Sequence, residues 1–443
     1  MRDADVPRDD LLPGLGTLLD AQQVARILEQ HANGSFGQIE SCRVFYVRYK
    51  PGTNCLIAIS VRRVEESAGS ASEVLLCAKC YTESDYVNAA RKLDVHRWVE
   101  RAGIRPVIPL PELRSILYVF PNDSELAGLR LVAHPKRIQR ILYESVPSYP
   151  QHVWRISDRR LRATTVRYKP EKRAVLRIDT RATHRSSGQH ERLCVYMRTY
   201  SDDRGRAIHA LMHELHAQFQ QRPGPVLPRP FVYLADQRCL FMEGLEGDPM
   251  LELLDGSIGE DCVTRVATDL VALHRCGAAS VPGRSAADLL QDARATESTL
   301  VQVAPELRDD VQEILRILDT RRPDSRRAAE GFVHGDFHHG QVLVQSDRVA
   351  ILDFDRSYVG DPLADVGNFC AHLRVLQAQK RIADAGGLSE AFVGAYAAAT
   401  GRRPDPAQLG FWTVLGLFQL SVRPFRTLES GWMAKTARVL GEC

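Results

Sequence analysis

One stretch of the chain reads His334-Gly335-Asp336-Phe337-His338-His339-Gly340-Gln341, and Asp353-Phe354-Asp355 begins twelve residues after Gln341. The apolar runs at residues 342–344 and 349–352 predict two short strands, joined by a turn at residues 345–348. Such a hairpin would place Gln341 and Asp353 at the same end. The stretch therefore predicts a loop whose polar side chains face one small region.

The polar side chains in this region are those that magnesium-dependent phosphoryl transfer requires. A carboxylate must accept or hold the proton of a substrate hydroxyl, and Mg²⁺ must be held by oxygen ligands. Asp336 is the candidate for the first role, and Gln341 and Asp353 for the second. Each residue also has a purely structural alternative: a turn residue for Asp336, a loop cap for Gln341 and a strand end for Asp353.

The histidines of the stretch are assigned other roles. His334 is predicted to be a packed imidazole that binds loop carbonyls. Adjacent imidazoles on a strand point to opposite faces, which argues against a shared zinc ion at His338 and His339. No cysteine lies close enough in sequence to complete a tetrahedral site. Zinc is therefore not expected here.

Three further acids follow. Asp355 is either a second metal ligand or a hydrogen-bonded loop acid. Asp361 and Asp365 are predicted to fix the next turn and a helix N-terminus, where carboxylates accept hydrogen bonds from free amides.

The order of these residues resembles the catalytic and metal-binding loops of kinases, His-x-Asp-x-x-x-x-Asn and then Asp-Phe-Gly. Gly335, the Asp-Phe-Asp at residues 353–355 and the segment 360–367 are similar to the aminoglycoside phosphotransferase and choline kinase family. The His-x-Gly-Gln loop at residues 338–341, with Gln341 in place of the usual Asn, is similar to that of maltokinases. The resemblance implies an α+β, two-lobed protein-kinase-like fold with a mainly helical C-terminal lobe, and it implies ATP and Mg²⁺ as cofactors.

Composition sets broad limits. The chain has 443 residues, enough for two or three cores, and is 44% hydrophobic and 26% charged with a net charge of +3. Neither an apolar signal region nor a run as long as a membrane span is expected. Ten scattered cysteines indicate reduced thiols and a cytoplasmic protein. Arginine-rich stretches lack a nucleic-acid-binding motif, so no nucleic-acid partner is expected.

The front half contains an internal repeat. Residues 47–51, Val-Arg-Tyr-Lys-Pro, recur at residues 166–170, an offset of 119 that also carries Lys79 onto Arg198. In each copy the predicted order is strand, Lys-Pro turn, two further strands and a helix. This is the opening of a kinase small lobe, so the sequence predicts a duplicated N-terminal small lobe.

The second copy is predicted to bind the nucleotide. Arg198 takes the position of the basic residue that grips phosphates, and Glu214, sixteen residues on, takes that of its helix partner. The glycine-poor turn at residues 169–173 would contact phosphate through side chains such as Lys172. The segment at residues 239–247 resembles the family's interlobe hinge, which implies that Met242, Glu243 and Leu245 meet the adenine.

The first copy keeps Lys79, but the position sixteen residues on is Val95. It is interpreted as a degenerate cap, in preference to a second site reached by Lys79. The predicted domains are therefore a cap at residues 1–130, a nucleotide-binding small lobe at 131–245 and a helical large lobe at 246–443.

These observations together predict an ATP- and Mg²⁺-dependent phosphotransferase whose acceptor is a hydroxyl of a small molecule. The Gln341 loop favours a sugar or sugar-like alcohol. One alternative is a pseudokinase, a nucleotide-binding scaffold with little or no catalysis, because Arg198 and Gln341 replace the usual residues. A kinase acting on a protein or peptide is a third. The partners expected are a nucleotide and the acceptor, with no membrane, and the oligomeric state stays open.

Overall fold

The computed structural model of the chain describes residues 7–31, 36–64, 71–93, 98–100, 103–255, 257–277, 280–324, 330–346 and 348–443. Val95 and part of the predicted turn at residues 345–348 lie outside these ranges. The chain forms two compact units. The first comprises the described residues of Met1–Arg206 with Phe231–Met242 and Pro424–Trp432, and the second those of Ala207–Pro230, Glu243–Arg423 and Met433–Cys443.

The first unit begins with three helices and an antiparallel sheet. The helices are α1 (Leu15–Leu19), α2 (Ala21–His31) and α3 (Glu83–Arg91). The sheet has the order β1-β2-β3-β5-β4, with β1 (Gln38–Lys50), β2 (Asn54–Val64), β3 (Ala71–Tyr81), β4 (Val107–Leu110) and β5 (Ser115–Val119). Consecutive residues of β2 are buried from Cys55 to Val61. Since neighbouring strand residues point to opposite faces, both faces of the sheet are covered here.

A second sheet belongs almost wholly to the first unit. Its strands are β6 (Trp154–Ile156), β7 (Arg162–Lys169), β8 (Arg173–His184), β9 (His190–Tyr200), β10 (Pro230–Leu234) and β11 (Cys239–Glu243). They follow the order β10-β11-β9-β8-β6, and β7 also pairs with β8. Helices α4 (Pro135–Ser145) and α5 (Arg204–Phe219) lie before and after β6–β9 in sequence. Along most of β8, buried residues alternate with more exposed ones, which is typical of a strand covered on one face.

The two sheets have the same strand order. Apart from the additional strand β6, the order β1-β2-β3-β5-β4 of the first sheet corresponds to β7-β8-β9-β11-β10 of the second. In each, a short 3-10 turn ends at an arginine with left-handed backbone, Arg114 at φ 43° and Arg238 at φ 49°. That the first sheet is a degenerate nucleotide-binding lobe stays a prediction.

One hydrophobic core joins the two sheets of the first unit. Ile116 from the first sheet, Leu176 and Val195 from the second, and Ile138 from α4 belong to the same buried cluster, and each is 0% exposed. The sheets of the two repeats therefore fold against a common core.

The rest of the chain is mainly helical. Its helices are α6 (Ser257–His274), α7 (Ala286–Val303), α8 (Arg308–Thr320), α9 (Leu363–Ala378), α10 (Ala385–Thr400), α11 (Pro406–Leu420), α12 (Arg423–Arg426) and α13 (Trp432–Gly441). Two small antiparallel sheets have the orders β12-β14-β15 and β13-β16, with β12 (Asp248–Pro249), β13 (Gly331–Val333), β14 (Val342–Val344), β15 (Val349–Ile351) and β16 (Tyr358–Gly360). Antiparallel sheets followed by helices form the α+β class that the sequence predicts.

Across the described ranges, no helix is both long enough and apolar enough to cross a bilayer. All ten cysteines lie in those ranges, and each is a free thiol.

Replacing Leu176 by Ala tests the common core. The side chain is 0% exposed, so we expect the free energy of unfolding to fall by about 2–5 kcal/mol, from lost burial and the cavity left behind. Val166 in the neighbouring β7 is 57% exposed, and its replacement by Ala should change that free energy by about 0.5 kcal/mol at most. Urea unfolding followed by circular dichroism measures both, and equal losses would contradict the assignment.

Candidate active site

Strand β13 leads into a loop that begins at His334. The fully buried ring of His334 lies near those of Phe337 and Phe354, at centroid distances of 5.7 Å and 5.2 Å. Its Nε2 lies 2.8 Å from the carbonyl oxygen of Leu352, and its Nδ1 lies 3.3 Å from the backbone nitrogen of Asp336. Because a carbonyl can only accept, Nε2 donates and Nδ1 accepts. The predicted structural role of His334 is confirmed.

A buried carboxylate holds the start of this loop. Asp365, in the first turn of α9, is 1% exposed. Its Oδ2 accepts the backbone N–H of His334 at 2.7 Å, and its Oδ1 accepts that of Gly335 at 2.9 Å. Nε2 of His274 in α6 lies 3.1 Å from Oδ2. These donors satisfy a carboxylate that would otherwise be costly to bury. The sequence assigned Asp365 to a helix N-terminus and did not predict its contact with the loop or with His274.

Gly335 is required by the path of the loop. Its φ is 79°, a left-handed conformation that residues with a side chain rarely adopt. A Cβ atom at this position would collide with the carbonyl oxygen of Arg356 and lie 3.2 Å from the ring of Tyr358. Glycine therefore lets the loop pass against the segment that follows Asp353.

Asp336 follows this glycine and is the partly accessible acid of the loop. Its side chain is 27% exposed and is therefore accessible from solvent. Nη1 of Arg356 lies 3.9 Å from Oδ1 of Asp336. This neighbouring cation was not predicted, because an arginine after Asp-Phe-Asp carries no recognisable signal of its own.

The β14–β15 hairpin brings the predicted metal ligands together. Val342 pairs with Ile351, and the N–H of Leu352 donates to the carbonyl oxygen of Gln341 at 2.9 Å. The hairpin prediction is thus confirmed. Nε2 of Gln341, which is 5% exposed, lies 3.5 Å from Oδ2 of Asp353. The backbone of Asp353 is left-handed, with φ 66°.

Asp361 fixes the turn before α9, as predicted, and also binds another helix. Its Oδ1 accepts the N–H of Leu363 at 3.0 Å. Its Oδ2 accepts Nε2–H of Gln408 at 2.6 Å and Nε1–H of Trp412 at 2.7 Å, both from α11. For Asp355, the two alternatives, a second metal ligand or a hydrogen-bonded loop acid, both stay predictions.

Three imidazoles meet beside Gln341, which corrects one expectation. His338 and His339 do not lie on a strand with their rings on opposite faces. Residues 339–341 form a short 3-10 turn, and the two ring centroids are 5.4 Å apart. His372 of α9 completes the group, and one ring nitrogen from each residue lies within 4.8 Å of the others. The prediction failed because a tight turn does not alternate its side chains as a strand does.

Two rings of this histidine cluster do not point at one common ion in the described structure. The rings of His338 and His372 are stacked, with centroids 4.1 Å apart and planes 6° from parallel. An imidazole lone pair lies in the ring plane, and two parallel planes share no point for an ion.

Burial lowers the pKa of His339 to about 3, aided by the charges of His338, Arg423 and Arg381. Burial likewise lowers the pKa of His372. His339 and His372 are therefore neutral at neutral pH.

The residues predicted to contact the nucleotide are spread along the chain. In the first unit, Arg198 of β9 pairs with Val175 of β8 and is 7% exposed. Lys172 is exposed in the β7–β8 turn, where its N–H donates to the carbonyl oxygen of Lys169 at 3.1 Å. Met242 ends this unit's part of β11 and is 7% exposed.

The other predicted nucleotide contacts belong to the second unit. Glu214 of α5 accepts the hydroxyl of Ser280 at 3.1 Å. Glu243 forms a double bridge with Arg229: its N–H donates to the Arg229 carbonyl at 2.9 Å, and its Oε2 accepts the Arg229 N–H at 3.1 Å. Leu245 is half-buried. The pairing of Arg198 with Glu214 stays a prediction.

Comparison with known proteins identifies the family. The family model described as the phosphotransferase enzyme family matches residues 152–412, more than half of the chain. The chain belongs to this family. Choline kinase from Cryptosporidium parvum is similar in structure, with 11% identity and a TM-score of 0.51 over 69% of this chain and 93% of that one. A protein named as an aminoglycoside phosphotransferase from Ralstonia eutropha has 16% identity and a TM-score of 0.50 over 69% and 94%. No curated protein matches the sequence.

The predicted fold and enzyme class are thereby confirmed. The protein has the aminoglycoside phosphotransferase-like variant of the protein-kinase-like fold. It is a phosphotransferase of the small-molecule kinase class, with an alcohol group as acceptor. The resemblance to the maltokinase loop stays a resemblance.

Replacing Gly335 by Ala tests the path of the loop. We expect kcat to fall by about 10²-fold, because the added Cβ displaces Asp336 from its position. Gly401 at the end of α10 is the matched control, since its φ of 74° is similar but nothing lies within 4 Å of a Cβ built there. Its replacement by Ala adds the backbone strain without the collision. Phosphotransfer rates and melting temperatures of both variants measure the effect, and equal rates in the two would refute it.

Proposed function

We propose that this protein transfers a phosphoryl group from ATP, with Mg²⁺, to a hydroxyl of a small molecule, and that the acceptor is a sugar or sugar-like alcohol. One observation carries the proposal. A partly exposed carboxylate, Asp336, lies on a loop held by the buried Asp365, and the hairpin that follows sets Gln341 against Asp353. The carbohydrate preference rests on the Gln-containing loop alone.

Asp336 is assigned to the acceptor hydroxyl. A carboxylate at this position orients the hydroxyl and accepts its proton as the oxygen attacks phosphorus. The fixed loop matters because most of the rate enhancement in phosphoryl transfer comes from positioning and from stabilisation of charge. Asp365 supplies that rigidity through two backbone hydrogen bonds, of 2.7 Å and 2.9 Å.

Gln341 and Asp353 are assigned to Mg²⁺. An amide oxygen and a carboxylate are the hard oxygen ligands that this ion prefers, and no sulfur or imidazole ligand is required. The two ends of a side-chain amide are exchanged by a half-turn. Turned over, Gln341 would present its oxygen to the Asp353 carboxylate, a contact that a cation stabilises. When bound, Mg²⁺ neutralises the charge of the phosphate oxygens.

The nucleotide contacts follow the kinase pattern. Arg198 is assigned to the phosphates, where its planar guanidinium can hold two oxygens at once. Glu214 is assigned as its partner, and Lys172 as a side-chain contact from the turn. Met242, Glu243 and Leu245 are assigned to the adenine. In this scheme residues 1–130 are the cap, 131–245 the nucleotide-binding lobe and 246–443 the large lobe.

Asp336→Asn tests the assignment of the acid. A mass-spectrometric screen of hydroxyl compounds with ATP and Mg²⁺ first identifies an acceptor. With that acceptor, we expect the variant to lose about 10²–10⁴-fold in kcat, because the amide cannot accept the proton. Its affinity for ATP should change by no more than about twofold.

The control for this variant is Asp309→Asn, which removes an exposed carboxylate from the first turn of α8. It should keep full activity. Full turnover by Asp336→Asn would remove this residue from its role. ATP binding with no product across the whole screen would favour the pseudokinase, which Arg198 and Gln341 allow.

Asp353→Asn tests the metal site. Loss of the carboxylate charge should raise the Mg²⁺ concentration needed for half-maximal rate by about tenfold or more, since charged ligands set the affinity for hard cations. Initial rates measured over a Mg²⁺ titration at fixed ATP give this value. An unchanged titration curve would exclude Asp353 as a ligand.

A further inference from the structure

The basic residue of the first sheet binds a carboxylate from the second. Nζ of Lys79, in β3, lies 2.7 Å from Oε1 of Glu171, which belongs to the turn between β7 and β8. The two side chains are only 17% and 10% exposed, so solvent screens the pair weakly. Both residues belong to the first unit.

A guanidinium and a hydroxyl from the first part of the chain bind the same carboxylate. Nη2 of Arg48, in β1, lies 3.5 Å from Oε2 of Glu171. The hydroxyl of Ser124, just after β5, donates to Oε1 at 2.8 Å. The Glu171 carboxylate therefore lies among two cations and a hydroxyl, an arrangement that binds anions.

Asp123 fixes the backbone of the same turn. This carboxylate is 1% exposed, and its Oδ2 accepts the N–H of Glu171 at 3.0 Å and the hydroxyl of Tyr168 at 2.8 Å. Glu171 is therefore held by its side chain and by its main chain. The groups around Glu171 all lie within residues 1–130, which contain the first copy of the repeat. The exception is Tyr168, at the end of β7, which shares Asp123 with Glu171.

The turn has a conformation that benefits from outside support. Glu171 has φ 54°, a left-handed backbone that a residue with a side chain adopts at a cost. Residues 169–173 contain Pro170 and no glycine. The contacts with Lys79, Arg48, Ser124 and Asp123 offset that cost.

We propose that Glu171 is a built-in anion that fills the basic site of the first sheet, so that the first repeat grips the 169–173 turn and takes no nucleotide of its own. The repeat offset of 119 residues places Lys79 where the second copy has Arg198. The Glu171 carboxylate therefore lies against Lys79 of the first copy in the way that a phosphate is assigned to lie against Arg198 of the second. Glu171 is a positioning residue for the turn that carries Lys172, and this consequence for nucleotide binding rests on the proposed function.

The test uses Lys79→Met, Glu171→Gln and the double variant in the full-length protein. Hydrogen–deuterium exchange at the amides of residues 171–173 should accelerate by about tenfold or more in each single variant, since a half-buried ion pair is broken. Each single variant should also lower the melting temperature. In Glu171→Gln, Lys79 and Arg48 face each other without an anion, so adding Lys79→Met should lower the melting temperature no further.

A matched control exists in the same sheet. Arg62 and Glu40 form an ion pair of the same length, 2.7 Å, but their side chains are 64% and 39% exposed. Arg62→Met and Glu40→Gln should leave exchange in the turn unchanged and shift the melting temperature little. Ser124→Ala, which removes a single contact, is a milder variant for use if Lys79→Met does not fold.

Kinetics separate positioning from mere stability. In Glu171→Gln, KM for ATP should rise severalfold while kcat stays within about twofold, because the turn contacts nucleotide and not the reacting atoms. Unchanged exchange in the turn, or additive losses of melting temperature in the double variant, would overturn the proposal. If no acceptor or nucleotide binding is found, the proposed function fails, but the exchange and melting measurements still decide the role of Glu171.

Discussion

The loop that carries Asp336 depends on one buried carboxylate. Asp365 accepts the backbone N–H groups of His334 and Gly335, and it also contacts His274. A loop of this shape leaves main-chain amides turned inward, and an unsatisfied buried amide costs free energy. Asp365 meets that need from α9, a helix that is buried almost all round. The position of Asp336 is therefore determined by a helix that begins 27 residues later.

The other half of the site is local. Gln341 and Asp353 are twelve residues apart, and the register of β14 with β15 alone brings them together. Gly335 and Asp353 both have left-handed backbones, at φ 79° and 66°, and the missing side chain at Gly335 lets its loop pass against Arg356. This region thus combines a short local hairpin with a long-range anchor from α9.

The two sheets of the first unit are alike in topology but differ at their basic residues. They have the same strand order and one hydrophobic core, yet the basic residue of the first sheet is bound to a carboxylate from the second. An anion supplied by the chain itself is always present at high effective concentration, so it outcompetes a free ligand at that place. In the role proposed for Glu171, the first sheet therefore supports the 169–173 turn of the second.

Sequence alone determined the fold class, the hairpin and the grouping of Gln341 with Asp353, because spaced motifs and short-range strand pairing are local properties. It also determined the structural role of His334. Tertiary structure alone decided the contact of Asp365 with His274, the meeting of His338 with His372, and the binding of Lys79 by Glu171. These pairs join residues 91, 34 and 92 positions apart. Packing of whole helices and sheets sets such distances, and no local pattern encodes them.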